Sequence, residues 1–511
     1  MYTPTLPTLT KIVVVLGLMI AYALFRATKS VRKRHFPPGP KPLPFFGNMF
    51  DIPIYNAART YVDWESKYNS KILFASAFGE HLLVLNKRED AVELLEGRSH
   101  KYSDRTSLPV VEMMGWSGNV GMMRYGNFWR LHKKICNQNF RQEASPQYNP
   151  IIAEKVRSLL GNLLTHPDEF ESHSKLLSVS VPLATMYGYD VEAVDDPCVK
   201  AADQSNLLAS RLLLPGVSFV NAFPVLRHIP PWFPGAFTAK AAKRAKELTQ
   251  EVIRVPMDNL KQRMADGPVP PSLVSTFLEK KSVSKTSEEE ETVIRNVAYT
   301  VYGGASDTTN ASTLTFLYLI ATHPEIQRKA QEELDRVLGP SHLPTFEDRT
   351  LLPYIDAIYR EVLRWRPPLP TCVPHVTTED DYYKGYYIPK GTTVLANIWA
   401  MSHDDEFYDN PSAFMPERHI DESGRLKSNE RILAYGFGRR MCVGKHVASS
   451  IMWLIIASTL TAFKIEGSKD RDGNKIPVDS DYTVVGLIDH KSPFKISITP
   501  RSDKIKDMLA D

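Results

Sequence analysis

The chain has 511 residues, 43% hydrophobic and 23% charged, ordinary values for a protein that buries a core, and its length alone permits two or three domains. Its 62 basic and 58 acidic residues leave a net charge of +4, too balanced for a surface built to bind nucleic acid. The four cysteines, Cys136, Cys198, Cys372 and Cys442, lie far apart without a CxxC pair, which rules against a zinc ribbon or a disulfide framework and points to a reducing compartment.

At the N-terminus, residues 12–25 ("IVVVLGLMIAYALF") are uncharged and mostly apolar, and Arg26, Lys29, Arg32, Lys33 and Arg34 follow. A signal peptide is the rival reading, since the run is short and "AYA" at 21–23 resembles a cleavage site. Basic residues after the apolar run, not before it, favour a membrane anchor that leaves the rest of the chain on the cytoplasmic side. Prolines at 37, 38, 40, 42 and 44 cannot continue a helix and predict a stiff spacer. The expected organisation is an anchor and basic flank over 1–35, a hinge over 36–47 and one catalytic domain over 48–511.

Further on, "GNFWRLHKK" (126–134) reads as a cationic helix, and "HIPPWFPGAF" (228–237) as a proline- and aromatic-rich turn suited to a bilayer interface. Glu288–Glu291 open a proline-free helical pattern that runs to Ile320, carboxylates suiting the positive end of a helix. "HPEIQRKAQEELDRVL" (323–338) and "LPYIDAIYREVLRWRPP" (352–368) read as amphipathic helices. Between 370 and 400 the texture turns to short strands and turns. The expected class is mainly α with a small, late β element.

The stretch "AYGFGRRMCVG" (434–444) places Cys442 in a cationic loop ahead of "IMWLIIASTL" (451–460), a helix apolar on nearly all sides. A thiolate ligand to haem iron accounts for this pattern. The helix start and loop N–H groups favour the anion, Gly438 and Gly444 allow close backbone approach to a flat ring, and Arg440 can reach a propionate. A structural buried cysteine is the plain alternative.

"GFGRRMCVG" resembles the haem-binding loop of the cytochrome P-450 superfamily, Phe-x-x-Gly-x-Arg-x-Cys-x-Gly, matching at Gly438, Arg440, Cys442 and Gly444, with Tyr435 in place of the phenylalanine. The resemblance covers roughly residues 36–500. It implies the fold of that family, haem b buried between the long helix and the cysteine loop, and Cys442 as iron ligand. Glu361 and Arg364 of "REVLRW", with Arg418 of "PERH", match the family's buried ion cluster, which implies a structural role. "GASDTT" (304–309) is similar to the oxygen-activation motif, so Asp307 and Thr308 are the expected proton relay. Trp129 matches the family tryptophan, Lys133 stands where arginine is usual, and His375 resembles a further propionate partner. Segments 102–123, 368–375 and 483–488 are implied to line the substrate cavity.

The implied activity is insertion of one atom of O2 into an apolar small molecule, in the manner of fungal microsomal natural-product monooxygenases at the endoplasmic reticulum membrane. No GxGxxG motif or P-loop is present, so electrons from NADPH must arrive through a separate reductase, with Arg439 and Lys445 as candidate docking residues. Two rivals stay open. One is a haem-thiolate isomerase or dehydratase that does not use O2, against which the Asp307–Thr308 pair argues. The other is a non-catalytic haem sensor, against which the apolar cavity segments argue.

Overall fold

The computed structural model describes residues 34–510 except 192, 214–217, 284–287, 340–341, 429, 470–471, 473, 475 and 486. The expected anchor at 12–25 therefore lies outside the described residues. Among those described, no helix is long and apolar enough to cross a membrane.

The helical body is built from α1 (Ala57–Tyr68), α2 (Asn127–Phe140), α3 (Asn149–Thr165), α4 (Phe170–Tyr187), α5 (Pro197–Leu213), α6 (Phe237–Asp266), α7 (Glu288–Thr322), α8 (Pro324–Leu338), α9 (Pro353–Trp365) and α10 (Lys445–Ala462). The proline-free run does form one helix, α7, whose 35 residues span about 50 Å at 1.5 Å per residue. Four glutamates occupy its first turn, where the positive helix end favours carboxylates. Helix α10 is buried continuously from Ile451 to Leu460, as its all-round apolar sequence requires. It meets α7 where the Thr313 hydroxyl donates to the Met452 sulfur at 3.7 Å.

Strands β1 (Ile72–Ala77), β2 (Glu80–Leu85), β3 (His375–Val376) and β6 (Thr393–Ala396) form a sheet in the order β1-β2-β6-β3, and β4 (Asp381–Tyr383) pairs β5 (Tyr386–Ile388) as a hairpin. β2 and β6 are parallel, Leu83 opposite Val394, although some 300 residues separate them in sequence. A parallel pair needs a crossover, and here most of the helical body is that crossover. β1 and β2 turn at Phe78 (φ 52°) and Gly79 (φ 85°), two left-handed residues whose twist matches the hairpin. Near the C-terminus β7 (Phe463–Gly467) pairs β10 (Ile496–Pro500), and β8 (Tyr482–Val485) pairs β9 (Ile488–Lys491).

The proline-rich stretch does not stand away from this body as a spacer. The Phe74 N–H donates to the Pro38 carbonyl at 2.8 Å. Gly39 lies so close to the sheet that a Cβ there would sit 1.9 Å from the Phe74 carbonyl oxygen. Just before it, the Tyr387 N–H donates to the His35 carbonyl at 2.7 Å. Prolines hold the strand extended, and the sheet edge takes up its free carbonyls.

Candidate functional site

The Cys442 loop is shaped by two left-handed glycines, Gly436 (φ 75°) and Gly438 (φ 57°). Gly438 is held to glycine by more than the close approach to a flat ring expected of it and of Gly444. A Cβ on Gly438 would meet the Leu95 carbonyl oxygen at 2.1 Å, so glycine is required there by a neighbouring stretch of backbone. Nothing lies within 4 Å of a Cβ on Gly444, whose backbone (φ −91°, ψ 10°) any residue can adopt. The loop is closed by the Cys442 N–H, which donates to the Tyr435 carbonyl at 2.9 Å. The hydroxyl that distinguishes Tyr435 from phenylalanine lies 2.8 Å from the Tyr359 hydroxyl on α9.

Cys442 is exposed as a residue, yet the protein packed around it desolvates its thiol. Burial pushes its thiol up, and the Gly444 N–H, Lys133 and Lys445 only partly counter this. The loop by itself therefore does not hold a thiolate. A coordinated cation would, since binding to a metal deprotonates a thiol outright.

Around the loop the structure gathers Arg440, Trp129, Lys133 and His375, and adds Arg105, which the sequence reading passed over. Arg440 donates to the carbonyls of Ser103 (2.8 Å), Met123 (2.8 Å) and Val120 (3.4 Å), with its guanidinium 4.3 Å from the Trp129 ring centre. Arg105 donates to Gly121 (2.9 Å), Val373 (2.9 Å) and Pro374 (2.6 Å). Burial, together with Arg105, pushes Arg440 down to about 9, and burial pushes Arg105 down to about 10. Lys133 is aimed at the loop itself, donating to the Met441 carbonyl at 3.3 Å.

His375 is fully enclosed. Its Nδ1 donates to the Tyr102 carbonyl at 2.8 Å, and its Nε2 is buried with no partner among the described residues. Burial and the nearby Arg105 hold this imidazole well below its ordinary value. Among the described residues the buried Arg105 and the half-buried Arg440 make no ion pair and His375 Nε2 has no partner, a donor set that suits an anion.

On α7, Gly304 is exposed and Thr308 half-exposed in mid-helix, with Ser306 and Thr309 buried between and beside them. One helix face is thus accessible in the middle of α7. The Thr308 hydroxyl donates to the Gly304 carbonyl at 2.7 Å, the back-bond that loosens a helix. Asp307 is turned toward α4 and α5. Its carboxylate accepts from Lys175 at 3.0 Å and from the Asn206 amide at 3.3 Å, and Lys175 also pairs with Asp203 at 2.8 Å.

Glu361 is the hub of a buried cluster larger than the three residues expected. Arg364 grips it with two bonds of 2.7 Å, Arg418 donates at 3.1 Å, His419 Nε2 at 2.9 Å and the Met415 N–H at 2.9 Å. His419 Nδ1 reaches Glu430. Both partners of the ring are carboxylates, which only accept, so His419 is an imidazolium. Despite burial, Arg364 and His419 hold Glu361 at about 2.

Of the segments expected to form a cavity, 368–375 and 483–488 meet. Pro370, Thr371 and Pro374 share a mostly apolar cavity of about 140 Å³ with Val484, Leu487 and Ile54. Segment 102–123 contributes Arg105, Val120 and Met123 around Arg440. Among the described residues no three His, Cys, Asp or Glu side chains stand close enough to chelate a bare metal ion. A metal carried inside its own planar ring needs only one protein ligand. A lone cysteine, two arginines and an orphaned histidine fit such a ring with acidic side arms.

The comparisons agree. The model of the family described as Cytochrome P450 matches residues 37–497. Cytochrome P450 monooxygenase 208 of Postia placenta is 36% identical over 491 residues, 96% of this chain and 94% of that protein. Tryptamine 4-monooxygenase of Psilocybe cyanescens is 34% identical over 502 residues (97% and 99%), and Cytochrome P450 monooxygenase claR of Ampulloclitocybe clavipes 34% over 516 residues (99% and 93%). With its helical body, small sheets and cysteine loop, this chain belongs to the cytochrome P450 family and is a monooxygenase of that family.

Proposed function

We propose that the protein binds haem b, which Cys442 would hold as its thiolate ligand, and oxidises an apolar small molecule of fungal secondary metabolism, using O2 and electrons from NADPH passed on by a reductase. The observation that carries this reading is the unpaired cationic set around the Cys442 loop, with His375 Nε2 left without a partner. Arg440, Arg105 and His375 would take the haem propionates, and Trp129 holds the Arg440 guanidinium in place by stacking. Lys133 steadies the loop at Met441.

Bound haem supplies a thiolate-ligated iron, whose electron donation favours O–O cleavage. The chain's own residues do the rest. The apolar walls formed by 368–375 and 483–488 bind and orient the substrate and exclude water. Thr308 stands on the open face of α7 with a hydroxyl that can exchange its Gly304 bond for a water or a reacting oxygen. Asp307, once it lets go of Lys175, can pass protons inward from the solvent side. In the reduced, carbon-monoxide-treated protein, the band typical of thiolate haem should appear. Cys442→Ala should abolish it, and replacing Cys136, Cys198 or Cys372 should not. A Cys442→Ala protein with the normal band would sink the ligand assignment.

The reading extends to the endoplasmic reticulum membrane, with the catalytic domain facing the cytosol. Exposed Phe45, Phe50, Tyr55, Trp232 and Phe237 support it. Phe78 at the sheet tip joins the two stretches, touching Phe46 (6.2 Å between ring centres) and Phe223 (5.6 Å). Apolar aromatics of this kind suit a bilayer interface. Deleting residues 1–35 should release part of the protein from membranes, and adding Trp232→Ser and Phe237→Ser should release most of the remainder. A deletion variant that is fully soluble without those two changes would remove the aromatic belt from the proposal. Exposed Arg439 and neighbouring Lys445 are the candidate reductase contacts.

A further inference from the structure

The segment that forces Gly438 to be glycine also carries a carboxylate into the cysteine loop. After β2 the chain forms a π-helical turn, Glu93–Gly97, a rare geometry that widens the helix by one residue. Its Leu95 carbonyl is the atom a Gly438 side chain would strike. The next side chain, Glu96, accepts from the Gly438 N–H at 2.9 Å and from Arg431 at 2.7 Å. Arg431 in turn donates to the Gly436 carbonyl at 2.7 Å, with its guanidinium 4.7 Å from the ring centre of fully buried Phe437. One carboxylate and one guanidinium thus fix the N–H and C=O groups on either side of Phe437, between two left-handed glycines. The neighbouring Glu93 does nothing comparable. It is half-exposed and pairs with Arg98 at 3.0 Å.

We propose that Glu96 is a positioning residue for the Cys442 loop: it presets the backbone at 436–438, directly and through Arg431, so that Cys442 meets the iron with its sulfur held for ligation. The inference rests on Cys442 being the haem ligand. The physical basis is that bonds to the groups around a metal ligand orient it and tune the metal, and that a bond to a charged acceptor is stronger than a neutral one. The Glu96 carboxylate bonds the Gly438 N–H and Arg431, so its effect passes through the loop.

The test uses the full-length, haem-loaded protein with Glu96→Gln and Glu96→Asp, and Glu93→Gln as control on the same helical turn. Backbone hydrogen exchange of residues 436–440 should speed up about tenfold or more in Glu96→Gln, the factor expected for losing a charge-assisted bond. The thiolate-type band of the carbon monoxide complex should give way to the neutral-ligand type at lower denaturant, with haem retained. Glu96→Asp should fall between, and Glu93→Gln should match the wild type in both readouts. A merely structural role would lower stability without converting the band. Wild-type behaviour of Glu96→Gln, or an equal effect from Glu93→Gln, would overturn the proposal. Should Glu96→Gln fail to fold, the unaltered protein still decides: a Gly438 amide exchanging at the rate of free peptide excludes the clamp. Loss of the thiolate band in Cys442→Ala beside a wild-type Glu96→Gln would sink only this inference and leave the ligand assignment standing.

Discussion

His375 donates its Nδ1 proton to the Tyr102 carbonyl at 2.8 Å, and that bond points its Nε2 into a buried space where no described residue meets it. A carbonyl cannot donate, so Nδ1 carries the proton and Nε2 is the free end. Burial, and after it the nearby Arg105 and Arg440, disfavours a second proton. An acidic side arm of the proposed cofactor would reverse that preference and accept from Nε2.

His375→Leu should therefore weaken haem retention while leaving the fold in place. Loss of one charge-assisted bond is worth about 1.5–3 kcal/mol, or roughly 10- to 100-fold in affinity. The check is the rate of haem transfer to a scavenging apoprotein, and an unchanged rate would remove His375 from the site. Arg105 is a poorer probe, since truncating it leaves the Gly121, Val373 and Pro374 carbonyls unpaired as well.

The Glu361 cluster predicts a pH dependence with two edges. Glu361 is held at about 2, below the ~4.3 of an unfolded glutamate, so its contribution is present above ~4.3 and disappears as pH falls toward 2. Burial would lower His419, but Glu361 and Glu430 raise it above the ordinary value. Its contribution is complete below ~6.5 and is lost as pH rises through the raised value. The wild type should thus exceed His419→Gln in thermal midpoint most clearly between about pH 4.5 and 6.5, with the gap closing on the alkaline side. A gap that stays constant from pH 6 to 9 would contradict the imidazolium. Glu361→Gln leaves two arginines uncompensated, at a cost of about 3–5 kcal/mol, and should yield little haem-loaded protein.

How much of this was legible in the sequence follows from distance along the chain. The Cys442 loop, the long α7 and the late β element all declare themselves within a window of a few dozen residues. Lys133 and His375 could be named, but not where they point. Arg105 sits in an ordinary "YSDR" and Glu96 in an ordinary amphipathic stretch. Each owes its role largely to partners more than 250 residues away, such as Pro374 and Gly438. The need for glycine at 438 was visible as a pattern, whereas its cause, the Leu95 carbonyl, was not. His419 adjoins Arg418 in sequence, yet its place in the cluster depends on Glu430 folding back onto it. Local chemistry was readable, and pairings made by the crossover were hidden.

Asp307 and Thr308 adjoin in sequence but do different work, and two substitutions should separate them. Asp307 is held by Lys175 and Asn206, so a route that uses it must open that ion pair. Asp307→Asn keeps an acceptor for Asn206 and abolishes the carboxylate. With a reductase supplied, NADPH consumption itself should fall, by at most the 10²–10⁴-fold typical of general acid–base groups, and the solvent isotope effect should grow. Lys175→Met, which frees the carboxylate, should not reproduce that loss. Equal losses in the two variants would mean that the ion pair matters as a brace and not as a proton source.

Thr308→Ala should behave otherwise. Alanine is the better helix former, and the substitution also removes the back-bond to Gly304, so α7 should be at least as stable as before. Haem content and substrate-induced spectral shifts should survive. What disappears is the hydroxyl on the open helix face, the group proposed to order a water and to direct an arriving proton. NADPH oxidation should then continue, with more of the reducing power ending as hydrogen peroxide and less as oxygenated product. The diagnostic quantity is the ratio of product to NADPH, measured beside peroxide in the same reaction. Thr308→Ser, which restores a hydroxyl with less steric restraint, should recover most of that ratio. If Thr308→Ala keeps the wild-type ratio, Thr308 is not the relay, and its hydroxyl serves only the bend in α7.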